Sequence, residues 1–355
     1  MRATRTMRDA MGRPAAKFVL TLLVAAIGGF AMWWLSMPLP WLLGAMFATG
    51  VCAILSAPIS VPSQTRPPMT AMIGAMIGTS FHVGMFEHWA EWAIPLAGLV
   101  AFIAVSGTAS YFYFRWVAGF DHATAYFSGM PGGVVEMVIL GSERGGDERM
   151  IALVHSARIF LVVSCIPFIL AMISGDSVAA GTGRYVPLSV LDGGDIVWFL
   201  VTVVVGAAVG VALRFPARYL TGPLAISAAL HYFAVTDFVL PTGLTAFAQV
   251  VLGASIGSRF ATAAPRVVLK ILGLSVGSIA ILLTITLVFA LSISHWSGVP
   301  LKALILAYSP GGIAEMSLVA VALHVEVPFV VLHHIARVLI VIAGATITFK
   351  MLKIS

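Results

Sequence analysis

Charge is what this sequence has least of. Only 10% of its 355 residues are Asp, Glu, Lys or Arg, while 60% are hydrophobic. Soluble domains carry about a quarter charged residues, so that class is excluded. Cysteine is nearly absent, and Cys52 and Cys165 both sit in apolar stretches. A disulfide framework or a thiolate metal site is therefore not expected. No phosphate loop or dinucleotide glycine motif occurs, so the chain does not read as an ATP-driven pump. The formal net charge of +6 is not gathered on one face. Arg2, Arg5, Arg8, Arg13 and Lys17 lead the chain, and the other basic residues are scattered between apolar segments. That pattern orients a protein in a lipid bilayer. Nucleic acid would need a clustered basic module, so it is not an expected direct partner. The basic start runs straight into apolar Phe18–Leu35 with no clear small-residue cleavage site, which reads as an uncleaved first helix.

What is abundant is long apolar sequence, and it comes twice. "GMPGGVVEM" (129–137) returns as "YSPGGIAEM" (308–316). At the same interval Pro131, Gly132, Gly133, Glu136, Met137, Leu153, His155, Ala157 and Arg158 recur as Pro310, Gly311, Gly312, Glu315, Met316, Leu332, His334, Ala336 and Arg337, without a gap. "GAMIGTSF" (74–81) likewise maps onto "GASIGSRF" (253–260), and Gly44 matches Gly222 at an interval one shorter. The expected organisation is a basic cytoplasmic tail (1–17), a membrane repeat (18–175), a polar linker (176–194) and a second repeat (195–350).

Each repeat holds six apolar segments: about 18–35, 40–56, 69–84, 93–114, 122–141 and 150–173, then about 195–213, 222–240, 243–258, 267–293, 301–323 and 327–349. If all crossed, the halves would run parallel and Arg214, Arg218, Arg259, Arg266 and Lys270 would fall outside, against the positive-inside tendency. If each Pro-Gly-Gly segment enters and returns on one side, each half crosses five times and the second is inverted. Every Lys and Arg then lies inside except Arg184, Lys302 and the intramembrane Arg158 and Arg337. The expected fold is thus an all-α polytopic membrane protein of two inverted-topology repeats, each of about five spanning helices plus a broken or re-entrant segment. The N-terminus is then expected on the cytoplasmic side.

Proline cannot continue a helical ladder, and paired glycines weaken it further. Broken backbone at membrane depth survives only where protein or a water-filled cavity satisfies it. Pro131-Gly132-Gly133 and Pro310-Gly311-Gly312 should therefore each end one short arm and begin another. Glu136 and Glu315 fall in the first turn of the second arm, at the positive end of its dipole. They either cap that arm or bind solute or ion, and the roles are compatible. His155 with Arg158, and His334 with Arg337, stand three apart on one helical face. Two buried arginines and two buried glutamates balance in number, so ion pairing between them is expected, as a structural lock or as a site where arginine captures an anion while Glu or His carries a proton. His333 has no counterpart in the first half, where Val154 stands at the equivalent position, and ranks below the others. Gly74/Gly78 and Gly253/Gly257 read as helix-packing positions. The tryptophans fall mostly at segment ends and read as interface anchors.

Twin halves carrying "PLPWLLGAM", "GMPGGVVEM" and "YSPGGIAEM" resemble the AbrB family of bacterial inner-membrane proteins, across nearly the whole chain. Members carry labels such as ammonia monooxygenase or AbrB-type regulator of gene expression. The family looks related to the cation/proton antiporter and anion transporter superfamily, which implies inverted five-helix repeats and crossed broken helices. The expected function is ion-coupled secondary transport of a small, anionic solute, with the solute, a coupling ion and the bilayer as partners and no cofactor. A homo-oligomer is compatible with the residues. A sensor acting on gene expression is the alternative, but the loops are short and show no output module. A monooxygenase would need metal ligands such as Glu136, His155, Glu315 and His334, and the arginine beside each histidine would repel a cation. A non-enzymatic protein is expected.

Overall fold

The computed structural model describes residues 14–85, 89–174, 186–190 and 192–351. Arg2, Arg5, Arg8 and Arg13 of the basic tail, Glu87, Arg184 with most of the linker, and Lys353 lie outside the described residues. Among the described residues the regular structure is helical, without a strand. The first half forms α1 (Pro14–Trp34), α2 (Pro40–Ile54), α3 (Arg66–Gly78), α4 (Ala93–Trp116), α5 (His122–Gly129), α6 (Val134–Ser142) and α7 (Glu148–Ser174). The second forms α8 (Gly193–Ala212), α9 (Arg218–Tyr232), α10 (Thr242–Gly257), α11 (Pro265–Ser297), α12 (Leu301–Tyr308), α13 (Ile313–Ala322) and α14 (Val327–Met351). The two series correspond helix for helix.

Local chemistry repeats with them. Leu39 before α2 and Ala217 before α9 are both left-handed, with φ of 45° and 48°. Ser36 and Arg214 form a second such pair, Ser56 and Ala234 a third. Pro40 and Pro265 open their helices where the missing N–H costs nothing. Asp192 and Asp195 close a capping box on α8.

Among the described residues seven helices, some extended by an adjoining turn, are long and apolar enough to cross a membrane: α1, α4, α7, α8, α10, α11 and α14. The protein is a multi-pass, membrane-type helical chain. α2 and α3, with 15 and 13 residues, are shorter than the roughly 20 residues a hydrocarbon core requires. Trp34, Trp89, Trp116 and Trp296 are exposed at helix ends, as interface anchors should be. Trp92 is not: it is buried, edge-on to Phe329 with ring centroids 5.6 Å apart.

The chain packs into two compact units that do not coincide with the sequence halves, since each unit draws on both copies. One contains α1–α3 and α8–α10, and its contacts come in reciprocal pairs. Gly44 lies so close to Gly28 that a side chain at either would strike the other's backbone, and Gly222 meets Gly206 in the same way. Gly74 and Gly78 of α3 press on Leu220, Leu224 and Ser227 of α9. Their counterparts Gly253 and Gly257 of α10 press on Leu42, Met46 and Thr49 of α2. These glycines serve helix packing, as their spacing predicted. Ser227 adds a bond across the contact, donating to the Ala75 carbonyl at 2.7 Å.

The other unit contains α4–α7, most of α11, and α12–α14. Both Pro-Gly-Gly segments lie here. Each is two short helices, of 8 and 9 residues in the first half and 8 and 10 in the second. At 1.5 Å per residue each arm spans about 12–15 Å, at most about half of a hydrocarbon core roughly 30 Å thick. In the first half the arms fold back on each other. The Asp147 N–H, just beyond α6, donates to Thr124 Oγ1 in the first turn of α5 at 2.8 Å.

Candidate functional site

The last carbonyls of α5 and α12 have no helical partner, because the backbone turns extended at Met130 and Ser309 (ψ of 133° and 136°) and proline follows. The long helices α7 and α14 supply the missing donors. His155 donates Nε2–H to the Phe127 carbonyl at 2.8 Å, and Arg158 donates to the Met130 carbonyl at 3.0 Å. In the second half His334 donates to Leu306 at 3.0 Å and Arg337 to Ser309 at 2.5 Å. The spacing explains itself: donors three apart on one helical face meet carbonyls three apart at the end of another helix. A cation there also opposes the negative end of the arm's dipole.

Glu136 and Glu315 serve the other side of the break. Each folds back over the glycine that begins its arm, Gly133 or Gly312, so closely that a side chain on that glycine would collide with the carboxylate. Each sits in the first turn, where the dipole is positive. Neither N-terminus has a side-chain cap hydrogen bond. The expected pairing of Arg158 and Arg337 with Glu136 and Glu315 is therefore corrected. Among the described residues the arginine hydrogen bonds go to backbone carbonyls and to His155, and no ion pair joins these four residues. Arginine and glutamate compensate opposite dipole ends on opposite sides of the break.

The site thus brings together Pro131, Gly132, Gly133, His155 and Arg158 in one cluster, and Pro310, Gly311, Gly312, His334 and Arg337 in another. The clusters share a compact unit, where Gly132 approaches Val341 of α14. They are not alike. Glu315 is only 6% exposed, whereas Glu136 is half-buried. Arg158 gives its second terminal nitrogen to His155 Nδ1 at 2.6 Å, whereas Arg337 gives its own to the Gly311 carbonyl at 2.6 Å. His334 Nδ1 is left buried without a partner, as is the Nε of both arginines.

Two residues gained importance that the sequence reading did not give them. Tyr308 donates its hydroxyl to the Pro95 carbonyl at 2.5 Å and packs edge-on to Phe102, ring centroids 5.0 Å apart. His333 is fully buried, donates Nδ1–H to Phe329 at 2.8 Å and leaves Nε2 unpartnered. Both occupy positions where the copies differ, Gly129 and Val154 in the first half, and that difference was the available signal. Among the described residues no group of three or more His, Cys, Asp or Glu could hold a metal ion.

Residues 41–353 match the model of a protein family described as "Transition state regulatory protein AbrB". A Bacillus subtilis (strain 168) protein named "Uncharacterized protein YhjN" is 26% identical over 348 residues, covering 90% of this chain and 89% of its own. An Escherichia coli (strain K12) protein named "Putative regulator AbrB" is 26% identical over 306 residues, 85% of each chain.

Proposed function

The chain belongs to the AbrB family, and we propose that it is an ion-coupled secondary transporter of a small, anionic solute in a bacterial inner membrane. One observation carries the reading. A single compact unit holds both copies of a broken helix, each with a carboxylate at the start of its second arm and a buried arginine at the end of its first. Broken helices from two repeats are how secondary transporters assemble a midplane site, with half-helix N-termini turned to anionic groups. The N-termini of α6 and α13 begin at glycine and carry Glu136 and Glu315 in their first turn, which suits the binding of a coupling ion beside the solute.

The reading takes each break as re-entrant, so that each half crosses five times, the halves are inverted and the N-terminus is cytoplasmic. The fold-back of α6 onto the start of α5 supports this, as does the distribution of Lys and Arg. Catalysis is not part of the reading: both ring nitrogens of His155 are engaged by protein groups, which argues against a metal-ligand role. A regulatory reading draws on the name of the Escherichia coli relative. Any effect on gene expression would then follow from sensing or moving a solute.

The test is flux of a panel of small carboxylates and other solutes into proteoliposomes, with and without proton and sodium gradients. Wild type should move at least one solute in a gradient-dependent way, and Glu136→Gln and Glu315→Gln should lose that dependence. Wild-type protein that is folded yet moves nothing in the panel would turn the reading down.

A further inference from the structure

The two clusters hold the same residues in different arrangements. The equivalent bonds agree everywhere but one: His to the carbonyl three residues before the arm's end, arginine to the carbonyl at its end. The exception is the second terminal nitrogen of the guanidinium. In the first half it rests on His155 Nδ1, and in the second on the carbonyl of Gly311, the counterpart of Gly132. Because His334 donates Nε2–H, its Nδ1 is a bare lone pair, and that buried lone pair has no partner. Its equivalent in the first half, His155 Nδ1, is the atom that holds the guanidinium.

Other differences follow the same division. Where arginine holds the glycine carbonyl, the break is tightened by a Gly311 N–H bond to Ser309 at 2.8 Å, and Glu315 on the next arm is buried. Where arginine rests on histidine, no equivalent bond closes the break among the described residues, and Glu136 is partly exposed.

We infer that Arg158 and Arg337 are two-position latches, with the His Nδ1 and the middle carbonyl of Pro-Gly-Gly as alternative acceptors, and that the two halves occupy opposite positions. Each arginine is a positioning residue: its place decides whether the arm carrying the glutamate is pinned or released. Both positions satisfy the same guanidinium nitrogen with one strong acceptor, so neither is heavily favoured by bond count. Histidine here is a resting place for arginine. The inference does not depend on which solute is moved, or on whether one is.

The test measures adducts of dicyclohexylcarbodiimide at Glu136 and Glu315 by mass spectrometry of the full-length protein in lipid. In wild type Glu136 should react several-fold faster. His155→Ala removes the acceptor that holds Arg158 away from Gly132, so Glu136 labelling should fall towards that of Glu315. His155→Gln keeps both a donor for Phe127 and an acceptor for Arg158, and should restore the wild-type rate. A purely structural histidine predicts the opposite sign, because its loss loosens the site. Unchanged or increased Glu136 labelling in His155→Ala would overturn the latch. Should that variant not fold, His334→Ala decides: Glu315 stays protected if Arg337 is already on Gly311, and a rise overturns the inference. Either result leaves the flux experiment free to succeed or fail separately.

Discussion

Replacing Arg337 by leucine separates a backbone-holding arginine from an ion-paired one. The guanidinium donates to Ser309 and Gly311 at 2.5 and 2.6 Å, both in a fully buried break. Hydrogen bonds from charged groups contribute about 1.5–3 kcal/mol each, so the two together supply roughly 3–6 kcal/mol. Leucine recovers the cost of holding a charge at membrane depth, about 2.5–3.5 kcal/mol on insertion scales. The net loss should be about 0–3 kcal/mol, with a midpoint of about 1.5, visible as lower folded yield and melting temperature in detergent. Arg158→Leu surrenders one carbonyl bond and one to His155 and should lose a similar amount. The informative measurement is the double variant. A buried ion pair would be rescued when its stranded partner is neutralised, whereas Arg337→Leu with Glu315→Gln, or with Glu136→Gln, should show additive losses. Recovery of more than half of the loss by either glutamine would refute the backbone-holding account.

Gly44→Ala should lower the melting temperature clearly, by about 1–3 kcal/mol of overpacking against the Gly28 backbone, while Gly273→Ala, which meets nothing within 4 Å, should be neutral or slightly stabilising. With Cys52 and Cys165 replaced by serine, Ser142→Cys and Val321→Cys at the ends of α6 and α13 should react with a membrane-impermeant thiol reagent from opposite sides, cytoplasmic for the first; labelling from one side would sink the inverted topology. Asp121→Ala should cost about 1 kcal/mol, because Asp121 caps α5 by accepting from the Thr124 N–H at 2.9 Å. Burial alone would raise that carboxyl, but hydrogen bonds from Thr124 and from the backbone of Ala123 and Asp121 together outweigh it and hold its pKa below the ordinary value. Its contribution should therefore be present above the unfolded pKa near 4 and be lost as pH falls through the lower folded value, which an acid melting series with and without Asp121 would show.

The parts legible in the sequence were those governed by local rules. Proline with two glycines breaks a helix wherever it stands, so both breaks and the four arms could be placed from residues alone. The glycine spacings announced close packing, and the structure puts backbone against backbone at Gly74, Gly78, Gly253 and Gly257. The arginine partners were misread because charge counting sees only side chains. Glu136 and Arg158 are visible in a sequence, whereas an orphaned carbonyl at Met130 or Ser309 is not. The His-x-x-Arg spacing held the missing clue, since it equals the spacing of the carbonyls it serves. Left-handed Leu39 and Ala217 were also illegible, because neither residue favours that conformation by itself. The burial of Trp92 depends on Phe329, far away in the chain.

The packing of the chain explains why the two copies remain together and how they differ. A sequence comparison finds copies in series, but packing pairs α2 with α10 and α3 with α9, so each copy covers glycine faces the other exposes. In the other unit α12 and α14 of the second copy meet α4 of the first. A residue in one copy is then constrained by its counterpart's neighbours as well as its own. Such reciprocity favours identical residues, and the break, the glutamate, the histidine and the arginine are indeed identical. Around them the copies have diverged: Tyr308 and His333 fill the second half where Gly129 and Val154 stand in the first, and Glu315 is buried while Glu136 is partly exposed. Two chemically equal clusters in unequal surroundings give each arginine a different resting acceptor. Symmetric surroundings would give both latches one preferred position, so the asymmetry of the shell is what lets one chain hold both positions at once.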